Sequence, residues 1–406
     1  MKSIKNFLKI SLIVGALTLN PLLNGCSKEK PTQNNSGNEI PVTFFNDNNV
    51  RWIDYAPTNF NPEILSFPSE ESIREDLIEL YEINFKGIVT YGSDGTLWKI
   101  PEIARDVGFE YVVQGIWDLT SEEEWNNAVD SKEKVDGYCL GNEGLSRGDY
   151  NLSELEDKIN ELRDATNKPV TTTEAIGEYN EDLLNLGDWI FPNCHAYWAG
   201  ITAPNSAAEW TLEQYNNLSS TTNKIVILKE VGMPSGAGLT EEIQNNYFRE
   251  LENLMLSNDK VSFVYFEAFD QPWKDWAPVE PYWGFFNQDR APKEVSEPQI
   301  LYNYVPPIGT YYNLEGRIVN TEPSDHKIST YILVGNTWWM KPYWNNPLTS
   351  ISNNSTWVTD ITTGGIDQTA TQINSYIVTP DYEPVMHTLP LLEDEKVIAY
   401  TSATRE

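Results

Sequence analysis

Cysteine is nearly absent from this chain of 406 residues, with three in all, and histidine is as rare. So few cysteines cannot build the dense disulfide framework of a small secreted fold, and none has the spacing of a zinc site. No His-Glu-x-x-His occurs either. Basic residues are scarce: 28 Lys and Arg stand against 60 Asp and Glu, for a formal net charge of −32. Nucleic acid and other anionic polymers would be repelled. The imbalance fits a neutral ligand, with most carboxylates facing solvent. Apolar runs long enough to span a bilayer are missing. The glycine-rich stretch Gly232–Gly238 lacks the Gly-Lys-Ser/Thr of a phosphate loop. No metal, nucleotide or other cofactor is expected, and no internal repeat is visible.

What the chain does have is apolar and aromatic mass. Hydrophobic residues make up 40%, with 14 Trp and 21 Tyr. That supports a packed core. Flat rings can also meet the apolar C–H face of a sugar, so aromatics beside a site serve either purpose. The start of the chain reads differently. Lys2, Lys5 and Lys9 precede the mostly apolar Ile10–Leu23, and the stretch ends in Leu22-Leu23-Asn24-Gly25-Cys26. This resembles a bacterial lipoprotein signal over residues 1–26, cleaved before a lipidated Cys26. Residues 27–44 read as a flexible tether. The expected location is the cell envelope, outside the cytoplasm and held to a membrane. Cys139 and Cys194 sit in different apolar strand candidates and are expected to be buried free thiols.

From 45 to 305 short apolar runs alternate with amphipathic helical stretches. The strand candidates are Val50–Ala56, Lys86–Gly92, Glu110–Trp117, Val135–Gly141, Lys168–Thr173, Trp189–Ala196, Lys224–Lys229 and Val261–Ala268. Between them Ile73, Leu77 and Leu80 share one helical face, as do Leu155, Ile159 and Leu162, and Ile243, Tyr247 and Leu251. Thr120 with Glu123 and Asn151 with Glu154 have capping-box spacing. Eight strand–helix units predict a (β/α)8 TIM barrel, an α/β fold with catalytic groups at the carboxyl ends of its strands. Pro306-Pro307 breaks the pattern. Residues 308–406, with runs such as Lys327–Val334 and Lys396–Thr401, predict a small all-β, sandwich-like domain. Its Trp338-Trp339 and Tyr343-Trp344 suit either a sugar platform or an aromatic core.

Two acidic residues each close a strand candidate before a Gly-rich turn: Glu143 in Val135-Asp-Gly-Tyr-Cys-Leu-Gly-Asn-Glu143-Gly, and Glu230 in Ile225-Val-Ile-Leu-Lys-Glu-Val-Gly-Met-Pro-Ser235. Cleaving a glycosidic bond needs such a pair. One carboxylic acid protonates the leaving oxygen, and the other carboxylate stabilises or attacks the anomeric carbon. Asn142 stands where it can meet the sugar 2-hydroxyl. Tyr55, Tyr197 and Trp283 lie at or just past strand ends, as substrate contacts or as rim packing. His195 suits a structural or a catalytic role equally, Glu174 either orients the site or ties the rim, and Glu267 reads as a buried helper to Glu230.

Tyr55-Ala-Pro-Thr-Asn-Phe-Asn61, Gly141-Asn-Glu143, Asn193-Cys-His-Ala-Tyr-Trp-Ala-Gly200, Lys229-Glu-Val-Gly-Met-Pro-Ser235 and Phe266-Glu-Ala-Phe-Asp-Gln-Pro-Trp-Lys274 together resemble glycoside hydrolase family 17. The resemblance covers about residues 45–305. It implies a retaining β-1,3-glucanase or a related glucanosyltransferase, with Glu230 as nucleophile, Glu143 as acid/base, and Lys274 and Glu280 as a supporting charged pair. With a lipid anchor, it resembles the lipoprotein laminarinases of marine Bacteroidota. Met233 and Gln271 depart from the family pattern, where Trp and Glu are usual, and this bears on sugar contacts and linkage preference. The expected function is endo-acting hydrolysis of laminarin-type β-1,3-glucan by a monomer. The alternatives are glucanosyl transfer and non-catalytic glycan binding.

Overall fold

The computed structural model describes residues 40–46, 50–256 and 263–406. The expected leader, the candidate lipidation site Cys26 and most of the expected tether lie outside these residues. Among the described residues no helix is long and apolar enough to cross a membrane.

Seven short strands, β1 (Arg51–Asp54), β2 (Phe85–Val89), β3 (Tyr111–Ile116), β4 (Gly137–Leu140), β5 (Val170–Thr172), β6 (Leu228–Val231) and β7 (Phe263–Tyr265), form one sheet in the order β5-β4-β3-β2-β1-β7-β6. Every pairing is parallel. Strands covered on both faces read as continuous apolar runs, and β4, Gly-Tyr-Cys-Leu, is buried throughout. The sixth expected strand, Trp189–Ala196, builds no ladder, because Pro192 lacks the N–H that a ladder needs. The segment makes single parallel bridges instead: Ala175 with Asn193, Ile190 with Val226, and Asn193 with Lys229. It thus spans the gap between β5 and β6. A curled parallel sheet with helices outside is consistent with a (β/α)8 glycosidase fold.

The helices are α1 (Glu70–Glu82), α2 (Ile100–Val107), α3 (Glu122–Asp130), α4 (Gly144–Arg147), α5 (Leu152–Thr166), α6 (Glu181–Asn185), α7 (Pro204–Ser219) and α8 (Glu241–Leu256). The expected faces are the buried ones: Ile73, Leu77 and Leu80 on α1, and Leu155, Ile159 and Leu162 on α5. Asn151 and Glu154 form a full capping box. The cap of α3 is Ser121, one residue later than expected, with its side chain accepting from the Glu124 N–H. Thr120 is held instead by Asp118.

At the amino end of the sheet an aromatic plug fills the interior. Val42, Phe44 and Phe45 pack against Trp52, Trp189 and Phe191, with the Phe45 and Trp52 rings 4.5 Å apart. Residues 42–44 were expected in the tether, but their apolar side chains are buried here, so the fold begins earlier than 45. Gly137 is required at this point, since a Cβ there would stand 2.8 Å from the Phe44 ring.

The remaining strands are β8 (Gln299–Tyr304), β9 (Leu314–Val319), β10 (Lys327–Val334), β11 (Thr337–Lys341), β12 (Leu348–Ser350), β13 (Thr356–Thr359), β14 (Gln372–Val378) and β15 (Val397–Thr404). They make a sheet β13-β9-β8 and a sheet β11-β10-β14-β15, with β12 also on β10. Ile300, Leu314 and Ile318 of the first share a core with Ile328, Ile332, Ile373 and Ile377 of the second, so the two sheets pack as a sandwich. β8 pairs antiparallel with β9. The change of architecture therefore falls before Gln299 rather than at Pro306-Pro307. Trp338 is partly buried, whereas Trp339, Tyr343 and Trp344 are exposed. The sandwich contacts the amino end of the parallel sheet, through Arg317 to Glu252, Arg51 to Asn320 and Lys86 to Glu322.

Candidate active site

Glu143 follows β4 and Glu230 lies within β6, both at the carboxyl end of the sheet. Each backbone is left-handed, with φ of 55° at Glu143 and 50° at Glu230. Such a conformation costs a non-glycine residue about 1–3 kcal/mol and persists only where the surroundings impose it. The Glu143 N–H donates to the Thr173 carbonyl, and the Glu230 N–H donates to Asp54 Oδ2 at 3.1 Å. After Glu230 the chain turns at Gly232, where a Cβ would come within 2.3 Å of the Phe266 carbonyl oxygen.

A continuous set of hydrogen bonds joins the two carboxyl groups. Asn193 Nδ2 donates to Glu143 Oε1 at 2.9 Å and faces Asn142 Oδ1 at 3.3 Å. Lys229 Nζ donates to the same Asn142 oxygen at 3.0 Å and to Glu230 Oε1 at 2.8 Å. His195 Nε2 meets Glu230 Oε2 at 3.3 Å. Lys229 is 1% exposed, with Asp54 Oδ1 3.9 Å away and the Tyr91 ring beneath it.

This geometry pushes the two carboxyls apart in acidity. Burial raises Glu143, and the charge of Glu230 raises it further, against the opposing Asn193 hydrogen bond. Burial works to raise Glu230 too, but the Lys229 ammonium, with help from His195, outweighs it and holds Glu230 well below the usual carboxylate range. Burial likewise opposes the charge on Lys229, and Glu230 and Asp54 overcome it. Of the two, Glu143 is therefore the one that holds its proton to higher pH and Glu230 the one that gives it up first.

Surrounding groups steady this pair. Glu174 accepts from the Leu145 N–H at 2.9 Å and the Ser146 N–H at 3.4 Å, fixing the turn that follows Glu143. Burial raises Glu174 to about 7. Lys274 reaches both oxygens of Glu267, at 2.7 and 2.8 Å. The direct partner of Lys274 is thus Glu267, not Glu280 as the family resemblance implies. Glu280 is buried within the electrostatic reach of Lys274, and burial raises it.

The expected substrate contacts divide. Asn142 is half-buried beside Glu143. Tyr197 is half-buried and edge-on to Trp283, with centroids 6.0 Å apart. Trp283 is 1% exposed and packs edge-on against His195 and Phe266, backing the site rather than lining it. Tyr55 is not a sugar contact: it is 1% exposed, donates to Asp76 Oδ2 at 2.9 Å, and packs on Phe269. Lys274 and Glu280 are buried as well, so they act through neighbours. Met233 is fully buried in the core and Gln271 donates to the Ala56 carbonyl, so neither departure from the family pattern reaches the cleft directly. Cys139 and Cys194 are buried free thiols. Among the described residues no cluster of His, Cys, Asp and Glu could hold a metal. A cavity of about 570 Å³ lies near the rim, between Trp117–Thr120 and Gly148–Tyr150; neither Glu143 nor Glu230 lines it.

Lys229, Asp54 and Asn193 had not been singled out. The available signal was a charge inside an apolar run: Lys229 interrupts Ile225–Val231 and Asp54 interrupts Trp52–Ala56, and such residues are rarely buried unless paired.

Two carboxyls of opposed acidity, joined by hydrogen bonds at the mouth of a parallel sheet, are the kind of equipment a glycoside hydrolase uses. Sequence comparison narrows the class. Residues 53–284 match the BtgE/BtgC glycoside hydrolase domain, and the chain belongs to that family. It is 26% identical over 253 residues to the probable glucan endo-1,3-beta-glucosidase btgC of Aspergillus terreus, covering 51% of this chain and 38% of that protein. The glucan 1,3-beta-glucosidase of Saccharomyces cerevisiae is 26% identical over 183 residues, covering 37% of this chain and 58% of that protein. The chain thus spans well under half of the Aspergillus relative. The crystal structure of a glycoside hydrolase family 17 beta-1,3-glucanosyltransferase from Rhizomucor miehei superimposes with a TM-score of 0.51 at 23% identity. It covers 61% of this chain and 96% of that one, a likeness of fold.

Proposed function

We propose that this protein is a retaining endo-β-1,3-glucanase that cleaves laminarin-type chains by double displacement within a closed (β/α)8 barrel. The observation that carries the reading is geometric: Glu143 and Glu230 stand at the carboxyl end of one sheet and are joined through Asn193, Asn142 and Lys229 by hydrogen bonds, a setting that raises the first carboxyl and lowers the second. Glu143 protonates the glycosidic oxygen as Glu230 attacks the anomeric carbon. The bond to the leaving sugar breaks, and a glycosyl ester forms on Glu230. Glu143, now ionised, takes a proton from water, which attacks the ester and releases Glu230. Asn142 meets the 2-hydroxyl, and Tyr197 offers a ring to a sugar beside the cleft. The substrate class is supported by the names of the Aspergillus and yeast relatives. The net charge of −32 suits a neutral polymer. Lipid attachment at Cys26 in the cell envelope, as in the lipoprotein laminarinases of marine Bacteroidota, completes the proposal.

The test is to incubate the protein with β-1,3-, β-1,4-, β-1,6- and mixed-linkage glucans and measure new reducing ends. Cleavage confined to glucans with β-1,3 bonds is expected. Oligomers longer than those supplied would mean glucanosyl transfer, and binding without new ends would mean a capture protein. Glu143→Gln should slow glucan cleavage about 10²–10⁴-fold while sparing an aryl glycoside whose leaving group needs no proton. Unchanged glucan cleavage by Glu143→Gln would overturn the assignment.

A further inference from the structure

We infer that Lys229 is a positioning residue that couples the two reacting strand ends, holding the Glu230 carboxylate and, through the same ammonium, fixing which way the Asn142 amide faces. The inference rests on the reading of Glu230 as nucleophile.

An ammonium has three hydrogens and accepts nothing. Two of those on Lys229 are committed, to Glu230 Oε1 at 2.8 Å and to Asn142 Oδ1 at 3.0 Å. Asp54, the other carboxylate nearby, stands at 3.9 Å, beyond hydrogen-bond length. A purely structural ion pair would place the short contact on Asp54, whose backbone partner already ties β1 to β6. The short contacts go to the nucleophile and to the neighbour of the acid/base.

The Asn142 amide is fixed by what surrounds its oxygen. Asn142 Oδ1 faces two donors, Lys229 Nζ and Asn193 Nδ2. The hydrogens of Asn142 Nδ2 must then point away from both. Asn142 is half-buried, so the amide keeps a side open to the cleft. Without the Lys229 charge, one of the two donors that make this orientation unique is gone, and the amide is free to turn over. Glu230 would simultaneously lose the contact that outweighs its burial.

The experiment measures kcat/KM against pH for wild type, Lys229→Met, Asn142→Ala and the double variant, on a β-1,3-glucan oligomer. Lys229→Met is expected to lose about 10²–10³-fold at neutral pH, the effect of deleting one preorganised donor. Its acid limb should move to higher pH, because Glu230 then protonates more readily. The losses of Lys229→Met and Asn142→Ala should be less than multiplicative, since both act on one amide. An unmoved acid limb together with multiplicative losses would overturn the inference. If Lys229→Met does not fold, Asp54→Asn/Lys229→Met, which removes the ammonium and replaces the carboxyl 3.9 Å from it, raised by burial to about 8, with a neutral amide, gives the same readout. Glu230→Gln run alongside separates two failures. If it stays active, the nucleophile assignment falls; if it is inactive while the acid limb of Lys229→Met is unmoved, only the role of Lys229 falls.

Discussion

The amino end of the parallel sheet closes on rings: Phe44, Phe45, Trp52, Trp189 and Phe191 pack together there. The carboxyl end of the same sheet holds Asp54, Glu174, Lys229, Glu230 and Glu267, none more than 6% exposed. Both ends are closely packed, but by different physics. Removing apolar area from water stabilises at about 25 cal/mol per Å². Burying a charge pair is often no better than burying hydrophobes of the same size, while removing one partner alone costs about 3–5 kcal/mol. The left-handed backbones at Glu143 and Glu230 add strain to the polar end. The lesson is a division of labour along one axis, in which the aromatic end offsets the instability that chemistry requires at the other.

Glu230→Gln is the strongest way to sharpen the contrast. It should lower kcat by about 10⁴-fold or more, measured by turnover on folded protein, and because the buried Lys229 ammonium loses its charged partner it should also lower the melting temperature in calorimetry. Trp189→Ala should separate the two effects, losing about 3–5 kcal/mol in denaturant unfolding while each folded molecule keeps its kcat/KM. Loss of catalysis per folded molecule would break the division. The smallest effect concerns pH. Burial raises Glu174 and, despite Lys274, Glu267 to about 7, above an unfolded value of about 4.3. Their contribution to stability is therefore full below that unfolded value and is lost as pH rises through about 7. Glu174→Gln should flatten the fall in melting temperature between pH 5 and 8 relative to wild type; identical slopes would count against it.

Much of the polar end was legible because strand and turn chemistry are local. A carboxylate closing an apolar run before glycine reads as a strand-end group, and Glu143 and Glu230 both stand there. What was not legible depends on direction. Tyr55 and Trp283 also sit near strand ends, yet their rings turn into the protein, and the choice between cleft and core is made by distant partners such as Asp76 and His195. Lys229 is legible only as a charge inside an apolar run, and nothing in that run says which carboxyl or amide it meets. Trp189–Ala196 has the composition of a strand, but Pro192 removes a ladder donor and leaves only bridges. Val42–Phe45 is too short to carry a period, so only its burial against the plug reveals it as part of the fold.

The plug also decides how the molecule is presented. Ile40 is tied to Asp188 by its backbone N–H at 3.1 Å, and the chain from there enters beneath the barrel floor. The sandwich leans on that same floor. Residues 40–45 therefore lie at the floor, and the mouth holding Glu143 and Glu230 looks the opposite way. Under the proposed function, a glucan strand lies across an opening that the sandwich, packed at the far end, does not obstruct.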